Sequence, residues 1–162
     1  LAAQGFPVGD SLCELDQVAT CRRLLDSGKK IYLPEDITGL DAAGDYATYG
    51  CRLPAGAKGL DIGPGSAAAF SDVIMDARTV FWNGPMGVFE MDKFAQGTKF
   101  IANAIAEATN NGAFSLVGGG DSVAAVKKFN MQEKVSYVST GGGAMLEYLE
   151  GIELPGVKAI NK

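Results

Sequence analysis

In the second half of the chain, short apolar runs alternate with longer stretches whose apolar residues recur every three or four positions, as when strands hand over to helices. T-V-F-W at 79–82, A-F-S-L-V at 113–117 and V-S-Y-V at 135–138 predict strands. Helices are predicted over 66–77, with Ala69, Phe70, Val73 and Ile74 on one face, and over 93–110, with Phe94, Gly97, Ile101, Ala104, Ile105 and Ala108 as the buried stripe. Two more are predicted over 121–128 and 144–150. Nearer the start, Val18, Cys21, Leu24 and Leu25 lie at helical spacing over 16–27, with Asp16 as cap and Gly28 as stop. K-I-Y-L at 30–33 reads as a short strand ended by Pro34. Between 35 and 57, Gly39, Gly44, Gly50, Pro54 and Gly56 interrupt any period, which predicts an irregular excursion with one edge strand near 46–53. Short apolar strands each followed by a helix predict an α/β fold, a three-layer αβα sandwich with a mainly parallel, Rossmann-like sheet.

Three glycine-rich turns follow the apolar runs: N-G-P-M-G at 83–87, G-G-G-D-S at 118–122 and T-G-G-G-A at 140–144. Each is predicted to leave a strand C-terminus, where an open α/β sheet offers backbone N–H groups to an anion. In G-G-G-D-S the glycines allow close backbone approach, and Ser122 adds a hydroxyl donor. Asp121 would repel a bare phosphate but suits one carrying Mg²⁺. The same residues also read as a tight strand-to-helix turn with Asp121 as N-cap. The stretch from Trp82 to Glu90 mixes backbone polarity with large apolar side chains, which suits a nucleotide base, with Glu90 on the ribose hydroxyls. Taken alone, Trp82, Met86 and Phe89 read as core rather than as a platform for a base. S-T-G-G-G at 139–143 repeats the nest without a carboxylate, and reads as helix entry as well. Neither a Walker A loop nor a G-x-G-x-x-G fingerprint is present.

Composition narrows the classes. The 162 residues suffice for one domain, and 22 glycines clustered after apolar runs mean turn chemistry rather than low complexity. A net charge of −5 argues against a nucleic-acid partner, so a polyanion would have to be met locally by helix N-termini or a bound cation. With no histidine, Ser-His-Asp and Cys-His nucleophile systems are excluded. Cys13, Cys21 and Cys51 have no C-x-x-C spacing and read as free thiols in a reducing cytosol. No apolar stretch is long enough for a membrane span and no basic-then-apolar signal leads the chain, so a cytoplasmic protein without membrane partner is expected. The opening L-A-A-Q-G has no initiator Met and no strand or cap signal, as expected of a piece of something longer.

W-N-G-P-M-G-V-F-E, G-G-G-D-S-V-A-A-V and S-T-G-G-G-A-M-L-E-Y-L-E-G-I-E-L-P-G-V, in this order, resemble the C-terminal, nucleotide-binding domain of phosphoglycerate kinases. G-L-D-I-G-P and F-A-Q-G-T-K add to the resemblance, which extends over essentially all of 1–162 as a single partial domain. It implies reversible phosphoryl transfer between MgATP and 3-phosphoglycerate, giving ADP and 1,3-bisphosphoglycerate. Carried over by position, Gly59 and Leu60 would line the adenine pocket, Asn83 would face the polyphosphate and Glu90 the ribose. Gly119, Gly120, Asp121 and Ser122 would hold the phosphates and their Mg²⁺, with Asp121 as the metal ligand. Ser122 stands where the family most often has Thr, and the hydroxyl is kept. Gly141, Gly142 and Gly143 would approach the transferring phosphoryl.

Departures accompany the resemblance. The family's G-G-A-K and G-G-G-M-A segments and its N-terminal, 3-phosphoglycerate-binding domain would precede this sequence. The resemblance therefore implies a truncated domain, inactive alone, of a monomeric parent enzyme. A stand-alone nucleotide-binding module is the rival from another class; an NAD-binding half-domain is weaker, for want of the fingerprint. Without the preceding strands, an unpaired sheet edge and an apolar helix face are expected to cause self-association; size-exclusion chromatography showing a clean, cooperatively melting monomer would contradict this.

Overall fold

A computed structural model of the protein describes residues 1–139 and 141–160. The chain forms two compact units, Leu1–Val73 with Met86–Ile101 and Ile74–Pro85 with Ala102–Lys162.

In the first unit, a 3-10 turn at Leu15–Gln17 leads into α1 (Val18–Leu25). The helix lies within the predicted 16–27 but is not capped by Asp16, which falls inside the 3-10 turn, since Gln17 is the N-cap and no side chain caps it; none of its residues is buried, and Leu12, Leu15 and Leu24 are exposed. Residues 30–33 form no strand, contrary to the sequence pattern, and Ile31 and Tyr32 are exposed. An apolar run becomes a strand only where a neighbour accepts its backbone ladder. The edge strand predicted near 46–53 is present as β2 (Tyr46–Gly50), but the rest of that region is not irregular: β2 pairs with β1 (Asp36–Leu40), which pairs in turn with β3 (Lys58–Ile62), in an antiparallel sheet of order β2-β1-β3. Its glycines misled the sequence reading because one of them builds the sheet. At Gly39, beside a bulge in the β1–β3 ladder, a Cβ would overlap the Lys58 carbonyl oxygen. Asp41 closes the β1–β2 hairpin, its Oδ1 accepting the N–H groups of Ala43 and Asp45 at 2.9 Å each.

Helix α2 (Pro64–Met75) starts with a proline, whose missing N–H costs nothing at that position. Its next donors are met by β1: the Asp36 carboxylate accepts N–H groups of Gly65 at 2.9 Å and Ser66 at 2.6 Å, and the Ser66 hydroxyl as well. Ser66 Oγ in turn accepts the N–H groups of Glu35 and Asp36. This exchange decides which face of α2 is covered. The buried residues are Ser66 and Ala67, whereas Ala69 and Val73 of the predicted stripe are exposed and Phe70 and Ile74 half-buried. Partial burial pushes the Asp36 pKa up, but the hydrogen bonds from Ser66 and Gly65 outweigh it and hold the group below its ordinary value.

The second unit contains β4 (Thr79–Asn83), β5 (Phe114–Gly118) and β6 (Tyr137–Val138), all parallel, in the order β4-β5-β6. A reciprocal serine exchange extends the short β6 pairing: Ser115 N–H donates to Ser136 Oγ at 3.0 Å and Ser136 N–H to Ser115 Oγ at 2.9 Å. Helix α3 (Gln96–Asn110) begins later than predicted, after a 3-10 turn at Asp92–Phe94, but the whole predicted stripe from Phe94 to Ala108 is buried. Helices α4 (Gly120–Lys128) and α5 (Gly142–Leu149) follow β5 and β6, and the sequence reading missed a last helix, α6 (Pro155–Ile160). The protein is thus α/β with a parallel three-stranded sheet flanked by helices, and carries an antiparallel sheet besides.

Removing the α2 cap should cost stability in a pH-dependent way. At neutral pH, Asp36→Ala is expected to lower the unfolding free energy by about 1–2 kcal/mol. Because the folded-state pKa lies below the ordinary 3.8, this contribution is present above that value and lost as pH falls through the depressed one. Urea midpoints of wild type and variant should therefore differ at neutral pH and converge in strong acid.

Candidate functional site

Parallel pairing aligns the strand ends. Asn83, last in β4, pairs with Gly118, last in β5, and Val138 of β6 pairs with Val117. Ser139 N–H continues the ladder to the Val117 carbonyl at 2.8 Å. The loops that begin at Asn83, Gly118 and Ser139 therefore leave one edge of this sheet, as the turn pattern predicts; Thr140 lies outside the described residues. The first of them does not enter a helix directly, since α3 starts only at Gln96.

Several candidate residues meet there. Gly119 has φ +83°, and a Cβ on it would overlap Asn83 Oδ1. A Cβ on Gly142 would lie 2.9 Å from the Gly119 nitrogen. Ser122 is fully buried, and its Oγ accepts the Gly84 N–H at 2.5 Å, so its oxygen ties down the neighbouring loop. Trp82 is buried with its indole N–H on the Gly84 carbonyl at 2.7 Å, and Phe89 is buried too, which makes both of them core.

Gly120, Gly141 and Gly143 differ from these neighbours. All three are exposed, none has a positive φ, and a Cβ on any of them would meet nothing within 4 Å. The fold has no need of glycine at these positions. They stand at the starts of α4 and α5, whose N-caps Gly119 and Gly141 offer no side-chain acceptor. The first intrahelical bonds are Val123 N–H to the Gly119 carbonyl and Met145 N–H to the Gly141 carbonyl. Hence the N–H groups of Gly120, Asp121 and Ser122, and of Gly142, Gly143 and Ala144, have no helical partner. Bare donors and a helix dipole make each start an anion-binding geometry.

Asp121 is exposed in the first turn of α4. Among the described residues, no group of three or more Asp, Glu, Cys or His side chains gathers as a metal cage. One carboxylate nonetheless fits Mg²⁺ that arrives on phosphate oxygens and keeps its waters.

The other candidates belong to the first unit. Gly59 in β3 donates its N–H to Ser11 Oγ at 2.9 Å. Leu60 is half-buried, and its carbonyl accepts Val88 N–H at 2.8 Å. Glu90 is exposed directly after buried Phe89. Two groups the sequence reading missed hold this region. Thr98 Oγ1, fully buried, accepts N–H groups of Met86 at 3.1 Å and Gly87 at 3.3 Å. Asp61, 6% exposed, accepts Gly97 N–H at 2.7 Å and Ile62 N–H at 2.9 Å. Burial drives the Asp61 pKa above its ordinary value despite the opposing bonds from Gly97 and Ile62. A usable signal was present in that Thr98, like Ser122, is a hydroxyl-bearing third residue of its helix.

Residues 1–152 match the family model of phosphoglycerate kinase. A phosphoglycerate kinase of Mycolicibacterium smegmatis is 55% identical over 99% of this chain and 41% of its own length. That of Mycobacterium avium is 54% identical over 100% of this chain and 40% of its own. The chain thus spans about two fifths of the length of these curated relatives. Among solved structures, phosphoglycerate kinase from Coxiella burnetii superposes with a TM-score of 0.88 at 38% identity, covering 98% of this chain and 42% of that one. The Pyrococcus horikoshii enzyme gives 0.81 at 33% identity, covering 99% and 42% respectively.

The glycines fall into two classes that thermal unfolding will separate. Gly119→Ala should destabilise by about 1–2 kcal/mol or more, since it combines a left-handed φ with steric overlap. Gly120→Ala and Gly141→Ala should stay within about 0.5 kcal/mol of wild type.

Proposed function

The chain belongs to the phosphoglycerate kinase family, and from that premise we propose that it is the C-terminal, nucleotide-binding part of a glycolytic, cytoplasmic and monomeric enzyme. The reaction is phosphoryl transfer from MgATP to the carboxylate of 3-phosphoglycerate, giving ADP and 1,3-bisphosphoglycerate, and its reverse. A part of the parent polypeptide outside this sequence binds 3-phosphoglycerate.

The observation that carries this reading is the set of glycines at 120, 141 and 143 that the fold does not require, at two helix starts without side-chain caps. Bare backbone at such a place admits a phosphate where a side chain would stand in the way. Gly119 and Gly120 position the nucleotide phosphates, with Asn83 facing the chain of phosphates; Ser122, fully buried, contributes by holding the Gly84 N–H of the neighbouring loop. Asp121 would hold Mg²⁺, which when bound neutralises phosphate charge. Gly141, Gly142 and Gly143 donate N–H groups to the phosphoryl in transfer. Gly59 and Leu60 line the adenine and Glu90 takes the ribose hydroxyls.

No general base is called for on this side. The transferred group passes through a loose, metaphosphate-like state, so fixed donors and positioning supply most of the catalysis. A chain without histidine is suited to that chemistry.

In the full-length polypeptide that carries this sequence, Asp121→Asn combined with Glu90→Ala should raise the KM for MgATP by about tenfold or more and leave that for 3-phosphoglycerate close to wild type. Nucleotide titrations that do not distinguish the double variant from wild type would refute the assignment.

A further inference from the structure

Resting on the nucleotide reading above, we propose that Thr98 and Asp61 are positioning residues for the adenosine side of the site, fixing the Met86–Glu90 loop from the first turn of α3. This loop has no strand or helix of its own. Its shape depends on where its backbone N–H groups find acceptors. Thr98 Oγ1 takes those of Met86 and Gly87, and the Leu60 carbonyl takes that of Val88. Three successive donors ahead of Glu90 are thereby fixed, and Leu60 is coupled to the same loop.

Thr98 sits in the first turn of α3, where its hydroxyl is free to serve donors outside the helix. A hydroxyl inside a helix ordinarily bonds back to the carbonyl one turn earlier, as Thr109 does to Ile105 at 2.7 Å. Thr98 instead spends both lone pairs on a neighbouring loop while completely buried. Asp61 supports it from β3. Its carboxylate holds Gly97 N–H, next to Thr98, and fills the space against Gly87 and Gly97, where any Cβ would overlap it. Neither glycine has a positive φ, so close approach accounts for both, to Asp61 and the Leu60 carbonyl at Gly87 and to Asp61 and the Ile62 side chain at Gly97. One strand thus supplies the Leu60 carbonyl to the loop and the Asp61 carboxylate to the helix that carries Thr98.

Titration calorimetry with MgADP and with magnesium pyrophosphate, on the full-length polypeptide carrying this sequence, separates positioning from general stability. Thr98→Val should weaken MgADP at least about tenfold while changing pyrophosphate affinity by less than about twofold, with Thr98→Ser recovering most of the MgADP affinity. Unchanged MgADP binding in Thr98→Val, or equal loss of both ligands, would overturn the proposal. Failure of the wild type to bind MgADP would refute the nucleotide reading itself, and this inference with it. Should Thr98→Val not fold, hydrogen exchange of the wild type decides. The Met86 and Gly87 amides should be protected to the level of α3, and exchange at exposed-loop rates would overturn the proposal.

Discussion

A helix starts with backbone N–H groups that find no partner within it, and much of this protein is arranged around how those donors are met. In the antiparallel unit they are met by strand carboxylates, Asp36 for α2 and Asp61 for α3. Each aspartate fixes a helix start on the sheet and determines which residues become buried, as Ser66, Gly97 and Thr98 illustrate. In the parallel unit the caps of α4 and α5 are glycines without any side-chain acceptor. The donors so exposed are what qualifies that sheet edge for an anion.

The same turns also explain how loops without regular structure acquire a fixed shape. The third residue of α4 is Ser122 and that of α3 is Thr98, and each hydroxyl faces a loop N–H rather than its own helix. Gly84 is held by Ser122 and by the Trp82 indole, and Met86 and Gly87 by Thr98. Leaving a buried donor without a partner costs about 1–3 kcal/mol, so few hydroxyls suffice to specify a loop.

Much of the parallel unit was legible in the sequence, because a strand followed by a glycine turn and an amphipathic helix is a local signal. The strands at 79 and 114 and the described glycines of the turns fall where the pattern puts them, and the stripe from Phe94 to Ala108, whose residues are divided between the two units, is buried as predicted; of the strand predicted over 135–138 only Tyr137–Val138 forms. What failed depends on partners distant in sequence. K-I-Y-L at 30–33 has strand composition but no strand, while the glycine-broken stretch that follows forms a sheet through Gly39 and the Lys58 carbonyl. The capping by Asp36 and Asp61 was invisible, since the residues they serve lie about thirty positions away. Of the candidate site, the glycines and Asp121 could be named from spacing. The division between glycines that the fold needs, such as Gly119, and those it does not, such as Gly120, required coordinates.

The bare backbone at the starts of α4 and α5 has one more property. An amide N–H neither gains nor loses a proton in any range a cell visits, and it cannot be alkylated or oxidised as a thiol or imidazole can. Such donors carry the same charge in acid and in base, so any pH dependence at these helix starts must come from the anion held there or from the side chains beside it. A side-chain ligand can be exchanged for a similar one; at Gly120, Gly141 and Gly143 there is no side chain to exchange, and evolution can alter the backbone there only by adding atoms where there are none.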